Sequence, residues 1–561
     1  MKTINKILAA CGLVAGMGIV TSSCVGDLDL MPTDPNDVTA AKFNEAPDQY
    51  MDAMIADCFF NFLTYGIKGN NILDGVADGG FSTFQRGIFN CQEMPTDEAC
   101  WLWYANDAEV GLMPFGQAST TTGMAYAPYY RFIVNASICN DFITTWTADK
   151  DYVKNANQQN RAKYIVYARV LREICMYYLL DLYGNVPWID DDTAVGSTPK
   201  QLTAGEIFAN LCAEMENTLK DFDATCPKTP AYGYLSIDVV DAYLMKLYMN
   251  GNQYGGTTDW AKAYTHAMNI INRHQGKGFQ GSGLCNDYNQ VFGAFNRRFA
   301  PGGGDVNEIL WTLPSKVDYT ETWAGATLML AGYGNTYADG DMKTKYNISD
   351  AWNCILARKQ LVQQFEWNEP EMATSPDQRT RFWLTAAEGY SYEAEAPLTA
   401  DHCPNNGFPT IKFSNWYIND DGSIDKIQSG DCLKEPWNTD YPMVRLAEVY
   451  LSAAEAILNG GGGSQADALK YVNYLRERAG VSAWTDLTAD KLRAERQREL
   501  YGECTRRTDL KRYGLWISGY NWDWKGSDNN YDGQDFDSKM VWYPLPPNVV
   551  SMAGYQQNPG Y

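Results

Sequence analysis

The stretch 161–183, RAKYIVYARVLREICMYYLLDLY, sets Tyr164, Tyr167, Ala168, Leu171, Cys175, Tyr178 and Leu182 three and four residues apart, the spacing that gathers side chains on one face of an α-helix. Gly184 stops the pattern and Pro187 prevents its resumption. Such an aromatic face must be covered by other helices. Segments 203–222, 236–250 and 259–273 provide them. Thr203 and Glu206 have capping-box spacing, Ile237, Val240, Tyr243, Leu244 and Leu247 keep the helical period, and Gly255-Gly256 separates the last two segments. Two helix–turn–helix units of similar length predict a short tetratricopeptide-like array.

Helical order returns at 443. Met443, Leu446, Ala447, Tyr450, Leu451, Ala454 and Leu458 form one apolar stripe, ended by the glycines 460–463. Ser464 caps a second helix carrying Leu469, Val472, Leu475 and Ala479, which Gly480 terminates. Thr488 caps a third, ADKLRAERQRELYGE, whose charges form either a solvated face or ion pairs between helices. Residues 275–440 are instead rich in Gly, Asn and Trp, with one helix expected at about 355–367 on Ile355, Leu361, Val362 and Phe365. Long irregular loops are where binding is concentrated. The predicted fold class is mainly α. A tetratricopeptide-like helical repeat scaffold occupies about 160–273 and 443–502, and an irregular, loop-rich ligand-binding region about 70–130 and 275–440. Both belong to one unit, 38–561.

The binding surface is expected around 78–107, DGGFSTFQRGIFNCQEMPTDEACWLWYAND. Trp101, Trp103 and Tyr104 lie beside Asp97, Glu98, Asn106 and Asp107, with Asp78 and Arg86 upstream. A pyranose ring has an apolar C–H face and a rim of hydroxyls. Trp offers a flat area at low entropic cost, and Asn, Asp and Arg pair with vicinal hydroxyls. Trp-x-Trp is equally the pattern of an ordinary strand with one buried face, so at this point core packing and ligand binding both stand.

At the amino terminus Lys2 and Lys6 precede an apolar stretch, 7–20, that is too short to span a bilayer comfortably. Thr21, Ser22 and Ser23 then lead to Cys24, which resembles a bacterial lipobox with Thr21 in place of the usual Leu. Residues 1–23 are expected to be a lipoprotein signal peptide, Cys24 the acylated residue, and 24–37 an acidic tether. No second hydrophobic span of about 20 residues follows.

A net charge of −23, from 68 acidic and 45 basic residues, argues against nucleic acid as a partner. Three His, no H-E-x-x-H and no EF-hand spacing leave no expected metal or cofactor. Nucleophile-elbow and P-loop motifs are absent, and no catalytic residue is assigned. A glycoside hydrolase would need two carboxylates across a cleft, and pairs such as Asp97/Glu98 arise by chance among so many acids. Fourteen Cys without C-x-x-C are expected to be mostly free, buried thiols.

RLAEVYLSAAEAILNGG, YVNYLRERAG and LRAERQRELYGECTRRTDLKRYGLW resemble the carboxy-terminal signature of the SusD/RagB-like outer-membrane lipoproteins of Bacteroidetes. LLDLYGNVPW and the acidic segment after the lipobox are similar to that family's earlier elements. The resemblance implies a scaffold of four tetratricopeptide-like units, glycan binding without catalysis, an anchored position on the cell surface, and partnership with a SusC-like TonB-dependent transporter over which the protein closes as a lid. FNCQEMPTDEACWLWYAND and YNWDWKGSDNN further resemble the family's starch-binding founder. Its aromatic arc carries over onto Trp103, Trp352 and Trp323, the last standing where the founder has Tyr. Its hydrogen-bonding partners carry over onto Asn106, Arg86, Asp78 and Trp101. Three aromatic planes set at angles suit a curled α-1,4-glucan better than a flat β-linked chain, so starch-like α-glucan oligosaccharide is the expected ligand. A different glycan, or a lid without ligand specificity, are the alternatives.

Overall fold

Residues 40–64, 79–103, 113–316, 324–334, 342–391, 407–433, 438–527 and 529–561 are described by the computed structural model. Their principal helices are α1 Pro47–Phe60, α2 Phe84–Gln92, α3 Gly123–Thr147, α4 Gln158–Tyr183, α5 Ala204–Thr225, α6 Ile237–Asn250, α7 Trp260–His274, α8 Leu446–Leu458, α9 Gln465–Arg478, α10 Ala489–Leu500 and α11 Arg506–Arg512. Short strands form three antiparallel two-stranded ladders. β1 Ala99–Trp101 pairs with β3 Ile355–Ala357, β2 Ile309–Leu313 with β6 Tyr441–Arg445, and β4 Tyr417–Ile418 with β5 Ile424–Asp425. The fold is mainly α, as the periodicity predicts, and no described helix is long and apolar enough to cross a membrane.

Helix starts follow the local chemistry of the sequence. Glu206 accepts the Thr203 backbone N–H at 2.9 Å while the Thr203 hydroxyl accepts that of Glu206 at 3.4 Å, a complete capping box. Ser464 and Asp467 repeat it at the start of α9, and Thr488 caps α10 through the Lys491 N–H. Gly184 ends α4 at φ 66°, and a Cβ there would lie 2.4 Å from the Trp542 ring. Both backbone conformation and close approach require glycine.

Helix α3 is absent from the sequence expectation because Pro128 interrupts it, and proline normally removes a helical hydrogen bond. The last residue of α4 repairs the ladder. Tyr129 donates its N–H to the Tyr183 hydroxyl at 3.1 Å, and that hydroxyl donates to the Ala125 carbonyl at 2.9 Å. On α2, Gly87 lets Pro128 approach, since a Cβ would sit 3.0 Å from its Cγ.

Two expectations are corrected. The helix placed at 355–367 is β3 followed by a single helical turn, Lys359–Val362. Ile355, Leu361, Val362 and Phe365 are all buried, so the apolar pattern is real, but pairing with β1 decides the conformation of its first part. The helix expected from 443 begins at Leu446, because residues up to Arg445 complete β6. The charges of α10 divide between the two expected roles: Asp490, Lys491 and Arg493 in its first part face solvent, and those of its second part form ion pairs between elements. Glu495 accepts from Arg379 at 2.7 Å and Arg476 at 3.0 Å, and Glu499 from Arg445 at 2.7 Å and Arg478 at 2.6 Å. Arg478 also reaches Glu308 at 2.6 Å and Lys412 reaches Glu503 at 2.5 Å. All of these side chains are buried. This lattice ties the repeat helices to the irregular region, through Arg379 and Lys412.

Candidate functional site

The site is organised by the β1–β3 ladder. β1 and β3 pair in the register Ala99↔Ala357, Cys100↔Leu356 and Trp101↔Ile355, and the Leu102 N–H extends it by donating to the Cys354 carbonyl at 2.8 Å. Trp103 therefore leaves the ladder at the same end at which Trp352 enters it. Both rings are half-buried. Trp352 donates its N–H to the Ala331 carbonyl at 2.7 Å, which fixes its backbone against the buried Leu328–Gly332 turn.

Between the two lies Arg86. It is buried on α2, and its guanidinium carbon sits 4.1 Å from the Phe81 ring centre, 5.3 Å from that of Trp101 and 6.0 Å from that of Trp352. Trp101 stands edge-on to Trp103, centroids 5.9 Å apart and planes at 75°. A cation over successive ring faces is attracted by their quadrupoles, more so when desolvated. Trp103, Trp101, Arg86 and Trp352 thus form one continuous row, closed at the middle and open at both ends.

The ladder is locked from below by the carboxy-terminal part. Arg358 donates to the Ala99 carbonyl at 3.1 Å and to the Asp523 carbonyl at 2.6 Å, joining β1 to the YNWDWKG segment. Arg506 grips Asp97 with two bonds of 2.7 Å, and Tyr520 adds a third at 2.8 Å. Burial opposes ionisation of Asp97, but Arg506 holds it below the usual carboxylate range. Glu93 and Glu98 are hydrogen-bonded to one another and wholly buried. Burial pushes Glu93 up to about 7, and burial with the neighbouring Glu93 charge pushes Glu98 well above its ordinary value. Both shifts favour the protonated carboxyl, so burial and mutual proximity oppose simultaneous ionisation of the pair. Backbone N–H groups of Thr505 and Gly502 donate to Glu93 and Glu98 at 3.1 and 3.3 Å, so this pair also serves as a strut between α2–β1 and the turn before α11.

Of the residues the sequence singles out, Trp103, Trp352, Trp101 and Arg86 come together here. Trp101 is 1% exposed, so the core half of the Trp-x-Trp pattern belongs to Trp101 and the open half to Trp103. Asp78, Asn106, Trp323 and Cys24 lie outside the described residues. Sequence reasoning missed Phe81, the floor beneath Arg86, and Arg358, the clamp on β1. Arg358 acts across 259 positions on Ala99, a separation at which no local pattern could reveal it. Among the described residues no group of His, Cys, Asp and Glu is arranged to hold a metal ion, and the described cysteines from Cys58 to Cys504 are free thiols.

Residues 307–561 match the SusD family model. Over the whole chain and 99% of the relative's length, the sequence is 27% identical to the starch-binding protein SusD of Bacteroides thetaiotaomicron. A SusD-like protein of Bacteroides ovatus is 22% identical over 74% of this chain and 71% of its own. Surface glycan-binding protein A of Bacteroides thetaiotaomicron, solved with laminarihexaose, shares the fold with a TM-score of 0.64 at 19% identity, covering 91% of this chain and 99% of that one. A SusD superfamily protein of Parabacteroides distasonis also reaches 0.64, at 14% identity over 92% and 99%. The carboxy-terminal part of the chain thus matches the SusD family model, the whole chain is similar in sequence to the starch-binding relative, and its fold is that of the glycan-binding structures.

Proposed function

We propose that the protein is a cell-surface glycan-binding lipoprotein that captures starch-like α-glucan oligosaccharides and passes them to a SusC-like TonB-dependent transporter. The observation that carries this reading is the pair of half-buried rings, Trp103 and Trp352, presented from one end of the β1–β3 ladder with Arg86 beneath them. Half-buried rings anchored by a rigid ladder offer sugar C–H faces a preformed platform, which limits the ordering cost of binding. Trp323 is assigned as the third ring, and Asn106 and Asp78 as hydrogen-bonding partners, all by the resemblance to the family's founder. Trp101 serves from below as support. The SusD relative named as starch-binding matches this chain end to end, and its name describes a binding role rather than a hydrolytic one. Attachment through Cys24 to the outer membrane completes the reading.

Titration calorimetry with maltoheptaose, laminarihexaose, cellohexaose and xylan fragments tests the ligand. Binding of maltoheptaose in preference to the β-linked chains is expected, and binding confined to β-linked chains sinks the α-glucan assignment while leaving a glycan binder. Release of reducing sugar from soluble starch by the pure protein would show that it is a hydrolase instead. Cys24→Ala is expected to free the protein from the membrane fraction, and continued retention would remove the lipid anchor from the reading.

A further inference from the structure

Asn353 follows Trp352 directly, and two features of it have no explanation within the protein. It is 1% exposed, yet neither its side-chain oxygen nor its nitrogen has a hydrogen-bond partner. Its backbone is also left-handed, at φ 50°. A side-chain amide carries two donors and an acceptor with two lone pairs, and buried polar groups are nearly always paired because each one left unmet costs about 1–3 kcal/mol. Asn tolerates positive φ better than most residues because its amide can bond locally, but here it makes no such bond. Glycine would supply the same backbone without an unmet amide.

Position supplies a use for it. The ladder runs Ala99↔Ala357 and Trp101↔Ile355, and continuing the register by two residues sets Asn353 across from Trp103. The backbone N–H of Asn353 is held by the Gly334 carbonyl at 2.8 Å, so the residue is fixed in place between the two half-buried tryptophans. Donor and acceptor side by side on one amide match the vicinal hydroxyls of a pyranose. Unmet polar groups and strained backbone cluster where a ligand completes the bonding.

We infer that Asn353 is a sugar-recognition residue, whose amide hydrogen-bonds the hydroxyl rim of the glucose unit held by Trp103 and Trp352. This rests on the glycan-binding reading of those two rings and adds the residue that reads hydroxyl orientation between them. The rings grip the apolar faces, and Asn353 selects among sugars of similar shape.

Asn353→Gly is the informative variant, because it keeps the left-handed backbone and removes only the amide. Calorimetric titration of the full protein with maltoheptaose, and in parallel with laminarihexaose, is expected to show about a tenfold loss of affinity for whichever the wild type binds. The melting temperature should be unchanged or raised, since an unmet buried amide has been removed. Unchanged affinity overturns the inference, and so does a loss of affinity that arrives with a lowered melting temperature. Trp103→Ala run beside it separates the two levels. If Trp103→Ala weakens binding and Asn353→Gly does not, the platform stands and the role of Asn353 falls. If neither sugar binds the wild type, or Trp103→Ala binds as well as the wild type, the platform itself is wrong and the inference goes with it.

Discussion

Trp101 and Trp103, two residues apart, stand 5.9 Å from each other with ring planes at 75°, and only the first is sealed from solvent. Their substitutions should therefore separate. Trp103→Ala removes a half-buried ring and is expected to weaken maltoheptaose binding at least tenfold, about 1.4 kcal/mol, with melting nearly unchanged. Trp101→Ala empties a site packed by Phe81, Arg86 and Trp103 and should cost about 3–5 kcal/mol of stability. Urea unfolding alongside calorimetry checks both, and a large stability loss in Trp103→Ala would return that ring to the core.

The Tyr183 hydroxyl occupies a place in the backbone ladder of α3 that no side chain within α3 could fill. Tyr183→Phe keeps the ring and leaves the Tyr129 N–H and the Ala125 carbonyl unmet at a buried site. The expected loss is about 1–3 kcal/mol, visible as a lower urea midpoint at unchanged slope. A midpoint equal to that of the wild type would mean that Pro128 is accommodated without this bridge.

These two sites show where the sequence is legible and where it is not. Periodicity and caps locate α4 to α10 within a few residues, since Thr203, Ser464 and Thr488 act on neighbours three positions away. Pro128 hides α3 because its repair comes from Tyr183, at the end of another helix. Ile355 and Leu361 show a genuine apolar pattern, but its assignment to a strand depends on β1, some 250 residues earlier. The same limit applies to the site. The aromatic and polar residues of 78–107 announce a binding surface, whereas the division of labour between Trp101 and Trp103 is set by β3 and Arg86.

Glu495 receives Arg379, Arg476 and Arg498, the last at 2.6 Å, and these cations hold it down to about 2 although burial opposes its ionisation. Glu495→Ala leaves three guanidiniums short of a counter-charge, two of them fully buried, and is expected to cost about 3–5 kcal/mol. Because the pairs are buried, raising salt to about 0.5 M should change the loss little, in contrast to surface pairs. Thermal and urea unfolding at two salt concentrations test this, and a loss that vanishes in high salt would show that the lattice is wet.

The hydrogen-bonded carboxyls of Glu93 and Glu98 give stability a sign that is unusual for an acidic protein. Glu93 goes from an ordinary 4.5 to about 7 through burial, and Glu98 shifts the same way. Between those values the folded chain retains a proton that the unfolded chain has released, so stability falls as pH rises through this window. Asp440, raised by burial to about 6, acts in the same direction. Lys412 and Lys511 act oppositely above it. Burial lowers them to about 8 and about 7, so from there to their ordinary 10.5 the unfolded chain binds the extra proton and stability rises with pH. Glu98→Gln supplies a permanent N–H donor to Glu93 and removes the need for a shared proton. The urea midpoint of the wild type should decline between pH 5 and pH 7, and that of Glu98→Gln should decline distinctly less. Parallel curves for the two proteins would show that the pair does not share a proton in the folded state.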